Sequence, residues 1–115
     1  MVRYAHEAKY VEKKMFEGTG TAKMRLILES NDEMYGKGRV FNHLYLNPGC
    51  EVGWHIHHGD GETYYILKGQ GEYNDNGNVL TVGPGDVTFV DDGEGHALKC
   101  IGDEPLEAIA LILFK

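Results

Sequence analysis

The chain has 115 residues, of which 42% are hydrophobic and 25% are charged. These values are typical of one globular domain, so they exclude a disordered tail, a coiled coil and two independent cores. Eighteen acidic residues against eleven basic ones give a net charge of -7. A negative protein repels nucleic-acid phosphates and anionic lipid rather than binding them. We therefore expect neither nucleic acid nor a membrane as a partner.

The first 22 residues differ in pattern from the rest. Tyr4, Ala8, Val11 and Met15 recur at helical spacing with charged residues between them, which predicts a short N-terminal helix or an extended arm. The charges at this end are unlike the apolar run of a secretion signal, and two cysteines are too few for a disulfide scaffold. We expect a cytoplasmic protein with reduced thiols.

Residues 23–115 alternate short apolar runs with turns. Glycine accounts for 16 of the 115 residues, about twice the roughly 7% usual in proteins, and it clusters between the apolar runs. The β-branched and aromatic runs predict strands at 24–29, 39–46, 52–57, 62–68, 71–73, 78–82, 87–90, 96–101 and 106–114. Short strands at regular spacing indicate one all-β domain, a small antiparallel β-barrel or jelly roll.

Three potential metal ligands lie within eight residues between Gly49 and Gly69. Alternate side chains of a strand share a face, so His55 and His57 point the same way. A short hairpin then brings Glu62, at the start of the next strand, opposite the histidine pair. Two imidazoles and one carboxylate suit manganese, iron, cobalt, nickel or zinc.

His96 offers a fourth ligand, because it begins a later strand after a glycine-rich turn. Three imidazoles and one carboxylate would leave one or two positions open on a five- or six-coordinate ion. We predict one divalent metal ion per chain, manganese, iron, nickel or zinc, held by His55, His57, Glu62 and His96.

This spacing resembles the first signature motif of the cupin superfamily. The motif is a glycine, five residues, His-x-His, three or four residues, a glutamate, six residues and a glycine. Its positions are matched by Gly49, His55, His57, Glu62 and Gly69.

The second cupin motif is matched at Gly85, Gly93 and His96. Two positions depart from it, since Asp91 stands where the family usually has proline and Cys100 where it has asparagine. Neither departure removes a ligand. The resemblance implies a cupin-type double-stranded jelly roll with a metal site, a small-molecule ligand in the barrel and a homodimer.

Several side chains near the predicted site have alternative interpretations. Tyr64 shares the face of Glu62 and is either a catalytic proton donor or a cavity wall, while Tyr65 and Leu67 face outward or into a dimer contact. His58 is interpreted as a solvated loop residue.

Two further positions leave the direction of a side chain open. Along strand 39–46, either the face of His43 and Tyr45 or the face of Asn42 and Leu44 lines the cavity, because both faces are partly apolar. Trp54 lies on the face opposite His55, in the core or at an interface.

The fold does not fix the reaction, because cupins include isomerases, epimerases, dioxygenases, decarboxylases, lyases, sensing domains and storage proteins. Oxalate-degrading cupins carry an arginine three positions before the first motif histidine, where this chain has Val52. Familiar oxalate chemistry is therefore disfavoured, unless Arg25 or Arg39 reaches the pocket from another strand. We hypothesise a metalloenzyme acting on a small oxygen-rich substrate, such as a hydroxy or keto acid, a sugar or a dioxygen-dependent substrate. The alternative is a non-catalytic module that binds or senses a small metabolite.

Overall fold

Ten antiparallel strands in two sheets make up the fold in the computed structural model of residues 1–115. The strands are β1 (Tyr10–Lys13), β2 (Ala22–Leu26), β3 (Gly38–Leu46), β4 (Glu51–Ile56), β5 (Asp60–Lys68), β6 (Gln70–Asp75), β7 (Asn78–Val82), β8 (Val87–Val90), β9 (Gly95–Ile101) and β10 (Leu106–Phe114). One sheet has the order β1-β2-β3-β10-β5-β8 and the other β4-β9-β6-β7. This jelly roll confirms the predicted all-β class, and each predicted strand corresponds to one of β2 to β10.

The N-terminal segment contains one turn of 3-10 helix at Ala5–Glu7, followed by β1. Strand β1 pairs antiparallel with β2, from Tyr10 opposite Arg25 to Lys13 opposite Ala22. No α-helix forms there, because the backbone N–H and C=O groups of β1 pair with those of β2, which holds this segment in an extended conformation. A second 3-10 turn lies at Asp32–Met34, and no helix of the chain has the length and apolar character needed to cross a membrane.

The hydrophobic core lies between the two sheets. Leu46, Ile66, Leu98 and Leu106 are each fully buried and come from four different strands. Alternation along each strand sends their neighbours outward, so Tyr65 and Leu67 remain 46% and 41% exposed. The core therefore holds both sheets together.

A tight turn connects β3 to β4 and aligns β4 with β9. Pro48 and Gly49 occupy the turn centre, with Gly49 at a φ of 83° and the Cys50 amide donating to the Asn47 carbonyl over 2.9 Å. The β4–β9 register shifts between Val52 and His55. After that shift His55 lies directly opposite His96, so the strand pairing itself brings two of the predicted ligands together.

Candidate metal centre

Three strands and one loop position the four predicted ligands. His55 lies near the end of β4, His57 directly after it, Glu62 in β5 and His96 in β9. The loop after β8 fixes His57 through two backbone hydrogen bonds, its amide donating to the Glu94 carbonyl and its carbonyl accepting from the Gly93 amide. The four side chains each offer one ligand atom, and these atoms all lie within 4.8 Å of one another.

The separations of the ligand atoms match the size of a divalent ion. Nε2 of His96 lies 3.0 Å from Nε2 of His55, 3.2 Å from Nε2 of His57 and 3.0 Å from Oε1 of Glu62. Adjacent ligands at right angles, with bonds of about 2.1 Å, are separated by about 3.0 Å. The arrangement could hold a metal ion of this class.

Each imidazole uses its other nitrogen, Nδ1, in a hydrogen bond. The partners are the Gly53 carbonyl for His55 at 2.8 Å, the Asp60 carboxylate for His57 at 2.6 Å and the Tyr73 hydroxyl for His96 at 2.8 Å. A carbonyl or carboxylate only accepts, so His55 and His57 carry their proton on Nδ1 and direct the Nε2 lone pair inward. These two lone pairs face the same point as Nε2 of His96 and the Glu62 carboxylate, a donor set that fits a metal ion.

Carboxylates set the protonation of the centre. Burial alone would raise the pKa of Glu62, but the three imidazoles, which donate to its carboxylate when their Nε2 atoms are protonated, hold that pKa far below its usual range. Glu62 raises the pKa of His57 most strongly, and Asp60 adds to this effect. Burial, in contrast, lowers the pKa of His96. The Glu62 carboxylate is therefore ionised at neutral pH, as a metal ligand must be.

A salt bridge continues outward from His57. Asp60 is only 5% exposed, and its second carboxylate oxygen accepts from Nε of Arg39 at 2.8 Å. Burial would raise the pKa of Asp60, but Arg39 and His57 lower it. Arg39, Asp60 and His57 thus form one chain of charge-assisted hydrogen bonds that holds the imidazole in place.

A cavity of about 80 Å³ adjoins the cluster. Tyr64 lines it, and its ring lies nearly parallel to that of His96 with centroids 5.3 Å apart. Burial raises the pKa of the Tyr64 hydroxyl well above its usual value, so the group keeps its proton. This geometry is compatible with both the wall and the proton-donor interpretation.

The structure resolves which face of β3 lines the cavity. Asn42 and Leu44 line it, whereas His43 and Tyr45 stack on each other, with centroids 4.2 Å apart, on the other face. His58 is exposed, in agreement with its interpretation as a loop residue. Trp54 is not a core residue, because it is 46% exposed.

The sequence patterns missed Phe16 as a residue next to the candidate ligands. Its ring stacks on the His55 imidazole with centroids 4.0 Å apart and also lines the cavity. Of the two arginines that the sequence left as candidates for the pocket, Arg39 lines it and Arg25 does not. No motif marks Phe16, since it lies far before the site in a segment interpreted as an arm or helix. Asp60, three residues after a ligand histidine, is the one position with a local signal.

Comparison with known proteins agrees with this geometry. A family model described as a cupin domain matches residues 42–112. A curated relative named oxalate-binding protein, from Thermotoga maritima, is 42% identical over 96 residues, covering 84% of this chain and 78% of the relative.

Solved structures share the fold. A crystal structure described as a predicted oxalate decarboxylase from Thermotoga maritima has a TM-score of 0.93 and 37% identity, with both chains covered in full. The cupin domain of Schizosaccharomyces pombe Cnp3 has a TM-score of 0.73 at 13% identity, covering 94% of this chain and 88% of that domain, a likeness of fold alone.

Proposed function

Because this chain belongs to the cupin family, we propose that it binds one divalent metal ion at His55, His57, Glu62 and His96 and takes a small carboxylic acid there. The observation that carries the proposal is the convergence of three imidazole Nε2 atoms and one carboxylate oxygen within 4.8 Å. Manganese, iron, nickel and zinc all accept this donor set. A bound ion would act as a Lewis acid that polarises a carboxylate or carbonyl oxygen of the ligand.

The chain's own residues support a carboxylate as the ligand. Arg39 lines the cavity from β3, and its pairing with Asp60 through Nε leaves its two terminal amino groups to donate to a carboxylate. Val52, at the position where oxalate-degrading cupins carry an arginine, forms an apolar part of the same wall. The Thermotoga relative carries the name oxalate-binding protein, which is consistent with a carboxylate ligand.

We propose a metalloenzyme with Tyr64 as the proton donor. Its hydroxyl stays protonated because burial raises its pKa, and its ring packs on the ligand histidine His96. Replacement by phenylalanine should keep metal and ligand affinity and abolish turnover of an accepted acid, measured by product formation. The alternative is a non-catalytic module that binds or senses a metabolite, and it is favoured if no acid that binds is ever converted.

Calorimetry with small acids tests the binding proposal. We expect manganese-loaded protein to bind oxalate, glycolate or pyruvate, and the metal-free protein to bind none of them. His55→Ala should lose metal and acid binding together, while His58→Ala, an exposed neighbour, should keep both. Equal acid binding with and without metal would contradict the proposal.

We also propose that the protein acts in the cytoplasm as a homodimer. Both cysteines are free. The outward face of β5 and β8 carries Tyr65, Leu67, Val87 and Phe89, each at least 41% exposed, an apolar patch suited to a second copy. Light scattering should give twice the chain mass, and Phe89→Ser should shift the protein toward the monomer.

A further inference from the structure

The cavity beside the metal centre has mostly apolar walls. Apart from the site residues His55, His57 and Glu62, its only polar lining residues are Arg39 and Asn42, with Tyr64 as a third potential hydrogen-bonding group. The rest of the wall consists of aliphatic, methionine and phenylalanine side chains, Met15, Phe16, Met24, Val40, Leu44, Val52, Ala110 and Ile112. A ligand group that points away from the ion therefore meets hydrocarbon and sulfur along most of the wall.

Arg39 is the one permanently positive side chain on this wall, and it is already engaged. Its Nε donates to the buried carboxylate of Asp60 at 2.8 Å. That negative charge offsets much of the arginine's attraction for an anion. A second full negative charge on the ligand, such as the outer carboxylate oxygens of oxalate, is therefore poorly matched by these walls.

A larger space, here called the vestibule, lies beside the cavity. The two spaces share five lining residues, Met15, Met24, Arg39, Val40 and Asn42, which form the boundary between them. The vestibule has a volume of about 280 Å³, and further apolar side chains lie on its walls, Val11, Leu26 and Leu28. The two methionines at the junction offer flexible, polarizable surfaces that adapt to an apolar group.

We infer that the favoured ligand is a 2-oxo or 2-hydroxy acid with an apolar substituent, whose carboxylate end binds at the metal and whose substituent packs on Met15 and Met24. This inference rests on the proposed function, because the metal centre must hold the carboxylate end. It places ligand selectivity in residues 15–24, which precede the segment matched by the family model. Oxalate, which has no apolar group, should bind less tightly than such an acid.

A homologous series of 2-oxo acids tests the inference by calorimetry on manganese-loaded protein. From pyruvate through 2-oxobutanoate to 2-oxopentanoate, we expect affinity to rise about fourfold for each added methylene, the usual gain for burying that group. The longest acid should bind at least tenfold more tightly than oxalate. A flat or falling series, or oxalate as the tightest ligand, would overturn the inference.

Variants separate a specific wall from general damage. Met24→Gln should reduce the gain per methylene in affinity to less than about twofold, and Met24→Leu should keep the full gain. Met34→Gln is the matched control, because Met34 is likewise partly buried but lines neither space. An unchanged series in Met24→Gln would contradict the assigned wall. Failure of the metal-loaded protein to bind pyruvate and oxalate alike would instead refute the proposed function.

Discussion

Asp60→Asn perturbs the metal centre without touching a ligand. The carboxylate accepts from Nδ1 of His57 at 2.6 Å and from Nε of Arg39 at 2.8 Å. An amide has one acceptor oxygen, so the substituted side chain can accept from only one of these donors and turns its NH2 toward the other. If the oxygen faces Arg39, His57 must accept at Nδ1 and carry its proton on Nε2, where it can no longer bind metal.

If the oxygen instead faces His57, the imidazole keeps its orientation but loses the negative charge of the Asp60 carboxylate, a charge that makes its Nε2 atom a stronger metal donor. Both outcomes weaken the metal site, and we expect the affinity for manganese or zinc to fall about 10- to 100-fold, the usual effect of removing such a partner. A fluorescent chelator competed against the protein measures this change. Asp103→Asn, the same change at an exposed turn residue, should have no effect. Metal affinity of Asp60→Asn within about twofold of wild type, with an intact fold by circular dichroism, would refute the reasoning.

Three further predictions concern the ligands, pH and the core. His57→Ala should lower metal occupancy at least tenfold, measured by mass spectrometry, whereas occupancy in His58→Ala should be unchanged; wild-type occupancy in both would refute the ligand assignment. Because Glu62 and Asp60 raise the pKa of His57 above its usual value, a second proton on this imidazole competes with the metal at pH 6, so chelator competition should show at least about tenfold tighter binding at pH 8 than at pH 6. A pH-independent affinity would contradict this competition. Ile66→Ala, at a fully buried site, should reduce the free energy of unfolding by about 2–5 kcal/mol in urea denaturation, and Ile56→Ala, 48% exposed, by less than about 1 kcal/mol. Equal losses would show that the core is wrongly placed.

Strand positions were predictable because the local pattern and the burial agree. Strand β5 alternates buried Tyr64 and Ile66 with exposed Tyr65 and Leu67, and its sequence shows the same alternation. Strand β1 was missed because all four of its residues are exposed, so backbone pairing with β2 rather than an apolar face determines its conformation. The apolar residues Tyr4, Ala8, Val11 and Met15 have helical spacing, but the structure offers no surface against which a helix formed by them could be buried.

The clustering of the four candidate ligands was predictable for a similar reason. The alternation of His55 and His57 and the hairpin to Glu62 are local features that spacing reveals. The supporting contacts are not local, because Arg39 lies 21 residues before Asp60, and Phe16 follows Met15, which forms an isolated parallel bridge with Val52 of β4. Such contacts join segments that are far apart in the sequence, so no local pattern of residues marks them.

Metal content tests the central claim most directly. Tag-free protein and a His55→Ala, His96→Ala double variant should be purified in parallel, reconstituted with manganese or zinc, and analysed by mass spectrometry. We expect about one divalent ion per chain in the wild-type protein and almost none in the variant, because two of the four donors are gone. No ion in either protein after reconstitution, or the same content in both, would contradict it.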